Sequence, residues 1–123
     1  MTPLPAAPDH VRLAVTAGED ATAQVRRFVR LFAQQSGVDG EVADDLVQAA
    51  AELLAVGDTV EQVRAVEVRE TGAGIVVVVD LAGRDTPHLA AEADALLSGL
   101  TREWGWRRTP DALRVWCEVA APA

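Results

Sequence analysis

The spacing of hydrophobic and polar residues changes period several times along the chain, and each change marks an element. From Glu41 to Asp58 the apolar positions Val42, Leu46, Ala49, Ala50, Leu53 and Val56 form one buried face of an α-helix. Asp39 is placed to cap that helix, while Glu41, Asp44 and Asp45 put negative charge where the helix dipole favours it. Gly57 supplies a C-terminal stop. A polar stripe, Glu41, Asp45, Gln48 and Glu52, runs opposite the buried face. Such a stripe is first of all a solvated surface. Glu52 is its member of chemical interest, because it adjoins Leu53 and Leu54 where the helix turns apolar.

The remaining elements follow from the same reading. Val11, Leu13 and Val15 alternate with Arg12 and Ala14, a short strand with one face inward. Thr16 and Glu19 have capping-box spacing and open a helix of about Glu19–Gln35, with Ala21, Val25, Phe28, Val29 and Phe32 inward. Ser36-Gly37 ends it. Arg26, Arg27 and Arg30 stand on its other side, as a solvated face or, alternatively, a partner-docking patch. Val63–Arg69 alternates Ala65, Glu67 and Arg69 against Val66 and Val68, and Thr71-Gly72-Ala73-Gly74 is a turn of hairpin length. Ile75–Leu81 is almost continuously β-branched, which predicts a central strand covered on both faces, or covered on one and partnered on the other. Asp80 interrupts this run; a carboxylate there is costly to bury without a donor, so it belongs at the sheet rim or facing a pocket.

Leu89–Glu103 reads as a third helix with Leu89, Ala93, Leu96, Leu97 and Leu100 inward. Trp104-Gly105-Trp106 leads into a last hairpin that turns near Pro110-Asp111 and returns along Leu113–Val119. Val115, Cys117 and Val119 share one face of that strand, Trp116 and Glu118 the other. The resulting order is strand, helix, helix, strand, strand, helix, strand, strand. It predicts an α+β two-layer sandwich: a mixed, mostly antiparallel sheet of four or five strands with three helices on one face.

Composition narrows the function classes. A chain of 123 residues, half of them hydrophobic, makes a single domain with a proper core, expected over residues 11–119 behind a flexible arm at 1–10 that holds three prolines. The net charge of −8 argues against binding nucleic acid or an anionic membrane. All eleven basic side chains are Arg, a compositional bias with no mechanistic content. The lone Cys117 permits no internal disulfide and, with no leader-like N-terminus and no apolar run longer than Ile75–Val79, gives the expectation of a cytoplasmic protein. His10 and His88 have no ligand-like neighbours, so no metal site is expected, and no P-loop, GxGxxG or GxSxG occurs.

Two segments carry a resemblance over about residues 9–119: ADDLVQAAAELL in the second helix and LTREWGWRRTPDALRVWCEV at the end. Together with the order of elements, they resemble the small GHKL (Bergerat-type) ATP-binding domain of the anti-sigma-factor serine kinases of bacterial partner-switching systems. The resemblance implies a Glu-Leu-x-x-Asn in the second helix, its glutamate the base for the attacking hydroxyl and its asparagine a Mg²⁺ ligand. Glu52-Leu53 matches, but Val56 stands at the asparagine position and offers no oxygen to a cation that demands oxygen ligands. The family's Asp-x-Gly-x-Gly, whose aspartate accepts from the adenine amino group, is matched by Asp80; Ala82 and Arg84 replace the glycines, with Gly83 displaced between them. The glycine-rich lid that wraps the phosphates before the third helix falls on Ala91-Glu92-Ala93. Losing those glycines restricts close backbone approach, and Glu92 adds a repulsive charge.

Phosphoryl transfer depends on positioning and electrostatics, and three phosphate-side elements are missing. The expectation is therefore a pseudokinase-like regulatory module with no cofactor, Glu52 a vestigial base and Asp80 a vestigial adenine contact. Its implied partner is a protein, such as a sigma factor or its antagonist, and two copies could pair through the edge strand at Val11–Val15. The alternatives are a divergent serine kinase that uses ATP with Mg²⁺, and an unrelated α+β domain for a small ligand.

Overall fold

The computed structural model describes residues 10–14, 21–38, 40–54, 63–71, 74–82, 91–110 and 112–120. In chain order they form β1 (His10–Ala14), α1 (Ala21–Gln35), α2 (Gly40–Leu54), β2 (Val63–Glu70), β3 (Gly74–Ala82), α3 (Ala91–Leu100), β4 (Glu103–Arg108) and β5 (Ala112–Ala120). The five strands make one sheet in the order β1-β2-β3-β5-β4, every pairing antiparallel. The three helices lie on one face of it, so the fold is the α+β two-layer sandwich that the order of elements predicts.

Alternation along the strands builds the core. Ile75, Val77, Val79 and Leu81 of β3 and Leu113, Val115, Cys117 and Val119 of β5 face the helices and are buried with Val25, Val29 and Ala33 of α1, six residues of α2, and Leu97 of α3. In β2, Arg64 is the extra residue of a bulge between Val63 and Ala65, which lets Val63 join Val66 and Val68 on the same core face. Trp104 and Trp106 of the edge strand β4 pack half-buried against that core.

The α1–α2 connection is set by a glycine. Gly37 has φ +74°, its N–H donates to the Gln34 carbonyl at 3.2 Å, and the Val38 N–H reaches back to the Ala33 carbonyl at 3.4 Å. This is a Schellman termination, which needs the left-handed conformation that glycine takes without a Cβ penalty. Asp39, Gly57, Val56 and the Thr16–Glu19 capping pair lie outside the described residues.

Some expectations shift. α2 buries Ala43 and Leu54 in addition to Leu46, Ala49, Ala50 and Leu53, while Val42 is half-buried. α3 is shorter than predicted: the Thr101 N–H closes on the Leu97 carbonyl at 2.9 Å, and the next amide, Arg102 N–H, donates to the Glu118 carbonyl at 2.7 Å. The chain thus enters the sheet one residue before Glu103, which belongs to β4 and not to the helix. Leu96 is 45% exposed and Leu97 fully buried, because adjacent helical residues lie about 100° apart and only one of these two faces the core.

Leu53 is completely buried between α2 and the sheet. Leu53→Ala should lower stability by about 2–5 kcal/mol, read as a fall in the urea midpoint at unchanged m-value. Cys117 is equally buried; desolvation pushes its thiol up to about 12, against a smaller opposing effect of its backbone hydrogen bond at Val77. The native thiol should therefore resist thiol reagents near pH 8 and react only as the protein unfolds. The protonated thiol favours the folded state at neutral pH, and that contribution is lost as pH rises from the ordinary cysteine range toward 12.

Candidate functional site

Glu52 sits in the last full turn of α2, half-buried beside the buried Leu53 and Leu54. Its Oε1 accepts a hydrogen bond from Gln48 Nε2 at 3.0 Å, the i, i+4 neighbour on the polar stripe. That amide orients the carboxylate without neutralising it, an arrangement compatible with a base at the edge of the helical layer.

Asp80 lies elsewhere. On β3 the residues facing the helices are Ile75, Val77, Val79 and Leu81, so Asp80 shares its phase with Val76 and Val78 on the opposite side of the sheet. Its Cα partner on β5 is Arg114, whose Nε donates to Asp80 Oδ1 at 2.8 Å. Arg114 also reaches across β3, with Nη2 3.7 Å from Glu67 Oε1, and Glu67 accepts from Arg69 Nε on its own strand. Signs alternate along the row: Arg69, Glu67, Arg114, Asp80. All four side chains are at most 17% exposed, which gives each carboxylate a cationic donor where burial would otherwise be prohibitive.

The sheet therefore separates the two candidate residues. A base and an adenine acceptor acting on one nucleotide must face the same cleft, and these two carboxylates are directed into different layers. Of the other positions with implied nucleotide roles, Ala82 is half-buried at the end of β3, and Ala91-Glu92-Ala93 form the first turn of α3 itself and not a loop before it. Gly83, Arg84 and Val56 lie outside the described residues. Among the described residues no three His, Cys, Asp or Glu side chains converge in a way that could hold a metal ion, and no helix is long and apolar enough to cross a membrane.

The far face carries residues that the sequence did not single out. Trp116 is 1% exposed and forms a second apolar cluster with Val76 and Val78. Gly105 is its Cα partner on β4, and a Cβ there would meet the indole at 3.2 Å. The glycine thus makes room for the ring, and the ring covers the strand backbone that glycine leaves bare. Indole Nε1 has no hydrogen-bond partner among the described residues despite its burial. Nearby, Thr71 Oγ1 accepts from the Gly74 N–H at 3.0 Å and lies 3.0 Å from Glu118 Oε2, tying the β2–β3 hairpin to β5. The available signal was the alternation of Glu67 with Arg69 and of Arg114, Trp116 and Glu118; only the register turns it into a network.

No protein-family model and no curated protein matches the sequence. Among solved structures, the chain is similar to the crystal structure of the RsbU and RsbW domains of Rv1364c from Mycobacterium tuberculosis. The TM-score is 0.69 at 17% identity, over 94% of this chain and 34% of that one. The chain thus spans about a third of the length of that protein. The relation is one of fold.

Removing Arg114 would take from Asp80 the guanidinium that donates to it at 2.8 Å and from Glu67 the one at 3.7 Å. Arg114→Met should cost about 3–5 kcal/mol in chemical unfolding, and Asp80→Asn in that background should recover part of the loss.

Proposed function

We propose that this chain is a cytoplasmic, non-catalytic regulatory module that acts through protein contacts, on the scaffold of an anti-sigma-factor serine kinase. The observation that carries this reading is the Asp80–Arg114 ion pair on the sheet face opposite Glu52. A carboxylate committed to a guanidinium on that face is unavailable to an adenine amino group on the helical side. The sequence adds to it: Val56 lacks an oxygen for Mg²⁺, Ala82 and Arg84 replace glycines beside Asp80, and Ala91-Glu92-Ala93 replace a glycine lid. Mg-triphosphate would meet a protein of net charge −8 with few donors to offset repulsion.

The partner in this reading is a protein of the partner-switching kind, a sigma factor or its antagonist. Self-pairing through the edge strand β1 belongs to the same proposal. A second reading, a divergent serine kinase that binds ATP with other residues, is favoured by one feature: Glu52 holds the matching helix position, half-buried and oriented by Gln48.

Nucleotide titration separates the two. With about 1 mM Mg-ATP the melting temperature should move by less than a degree, whereas ligand at 100 times its dissociation constant adds about 2.7 kcal/mol, several degrees for a domain of this size. A Mg²⁺-dependent shift of several degrees, or phosphate transfer to a partner's serine, would replace the first reading by the second.

A further inference from the structure

α1 buries one side and leaves another open. Val25, Val29 and Ala33 are fully buried, whereas Phe28 and Phe32 are half-buried and Leu31 is 53% exposed. Phe28, Leu31, Phe32 and Gln35 line an open groove of about 200 Å³. Small-molecule pockets run to roughly 300–1,000 Å³ and enclose their ligand. A shallower groove on a helix surface suits one or two inserted side chains instead.

The charge around the groove is opposite to that of the whole chain. α1 contains Arg26, Arg27 and Arg30 and not one acidic residue, in a protein of net charge −8. Arg30 leans toward α2 and pairs with Asp44 at 3.2 Å. Arg27 is exposed and lies one turn before Leu31, on the same flank.

We propose that this groove docks an amphipathic helix of a different protein, one that seats a leucine-like side chain against Phe28, Leu31 and Phe32 and presents carboxylates to Arg27. The inference rests on the reading of the chain as a protein-binding module and adds the surface and the partner's chemistry. A second copy fits this groove poorly: in a two-fold contact between α1 helices, Arg27 would face a helix without a carboxylate.

The test titrates the full chain with a helical peptide carrying leucines at i, i+3, i+4 and i+7 flanked by glutamates, and with its twin carrying lysine for each glutamate. Amide resonances of Phe28, Leu31, Phe32 and Gln35 should shift with the glutamate peptide and respond at least several-fold more weakly to its twin. Leu31→Ala should weaken binding about tenfold through loss of an apolar contact, and Arg27→Glu about threefold or more. Leu96→Ala, at an exposed leucine on α3, should leave binding unchanged. Equal or tighter binding of the lysine twin, shifts confined to other elements, or no binding at about 1 mM peptide would overturn the proposal. Dimerisation in sedimentation that Leu31→Ala abolishes would overturn it in favour of a second copy. The nucleotide outcome is independent: a Mg²⁺-dependent ATP response with groove binding intact removes the non-catalytic reading alone, and a silent groove with silent ATP removes this one alone.

Discussion

A central strand buried on both faces is the constraint from which the rest of this structure follows. β3 lies third in a sheet of five, and its residues from Gly74 to Leu81 are all buried. On the helical side the solution is ordinary: valines, leucines and an isoleucine pack against α1, α2 and α3. On the other side Trp116 fills space beside Val76 and Val78, and the row from Arg69 to Asp80 surrounds them with paired charge. Buried ion pairs add little net stability, because desolvation offsets much of their attraction. What they do enforce is register. A slip of one residue would carry Asp80 to the helical face, among leucines and valines and away from Arg114, so the network penalises the wrong alignment more than it stabilises the right one.

Helix positions were legible because their apolar residues recur with a period near four, and the polar stripe of α2 marks its outer face without ambiguity. The central strand was legible only as a strand. Ile75–Val79 contains no polar residue, so nothing in it marks which side alternate residues take; the phase of Asp80 comes from its pairing with Arg114, a residue 34 positions away. The same blindness applies to the end of α3. Leu97 to Glu103 continues a helical pattern, and only the bond from Arg102 to Glu118 across the sheet makes Glu103 the start of a strand. Gly105 and Trp116 show the converse: both are conspicuous in sequence, yet their relation is visible only when β4 and β5 are laid side by side.

Fold and chemistry separate cleanly in this molecule. The sandwich keeps its helices, its strand order and an oriented glutamate on α2, all of which are needed for packing or solubility irrespective of any ligand. Nucleotide chemistry would need more: backbone close to phosphates, an oxygen for the metal, and an acceptor for adenine on the helical side. Each of those depends on particular residues and not on the packing of the core. A scaffold can lose these without losing its core, which is why likeness of fold at 17% identity carries no activity with it.

Asp80 makes that separation hard to reverse. Freeing its carboxylate for a ligand would take the 2.8 Å partner from Arg114 on a face where both are largely buried, leaving that guanidinium its longer 3.7 Å contact with Glu67. The energy at stake, about 3–5 kcal/mol for an uncompensated buried charge, is a large share of the total stability of an ordinary domain. Restoring glycines beside Asp80 would not change this, because the obstacle is the direction of the side chain through the sheet and not access to it. A carboxylate on the helical side would have to stand at an odd-numbered position of β3, and the nearest, Val79 and Leu81, are fully buried in the main core. In this fold Asp80 is part of what aligns the strands, and the open flank of α1 is a surface that the sheet does not need.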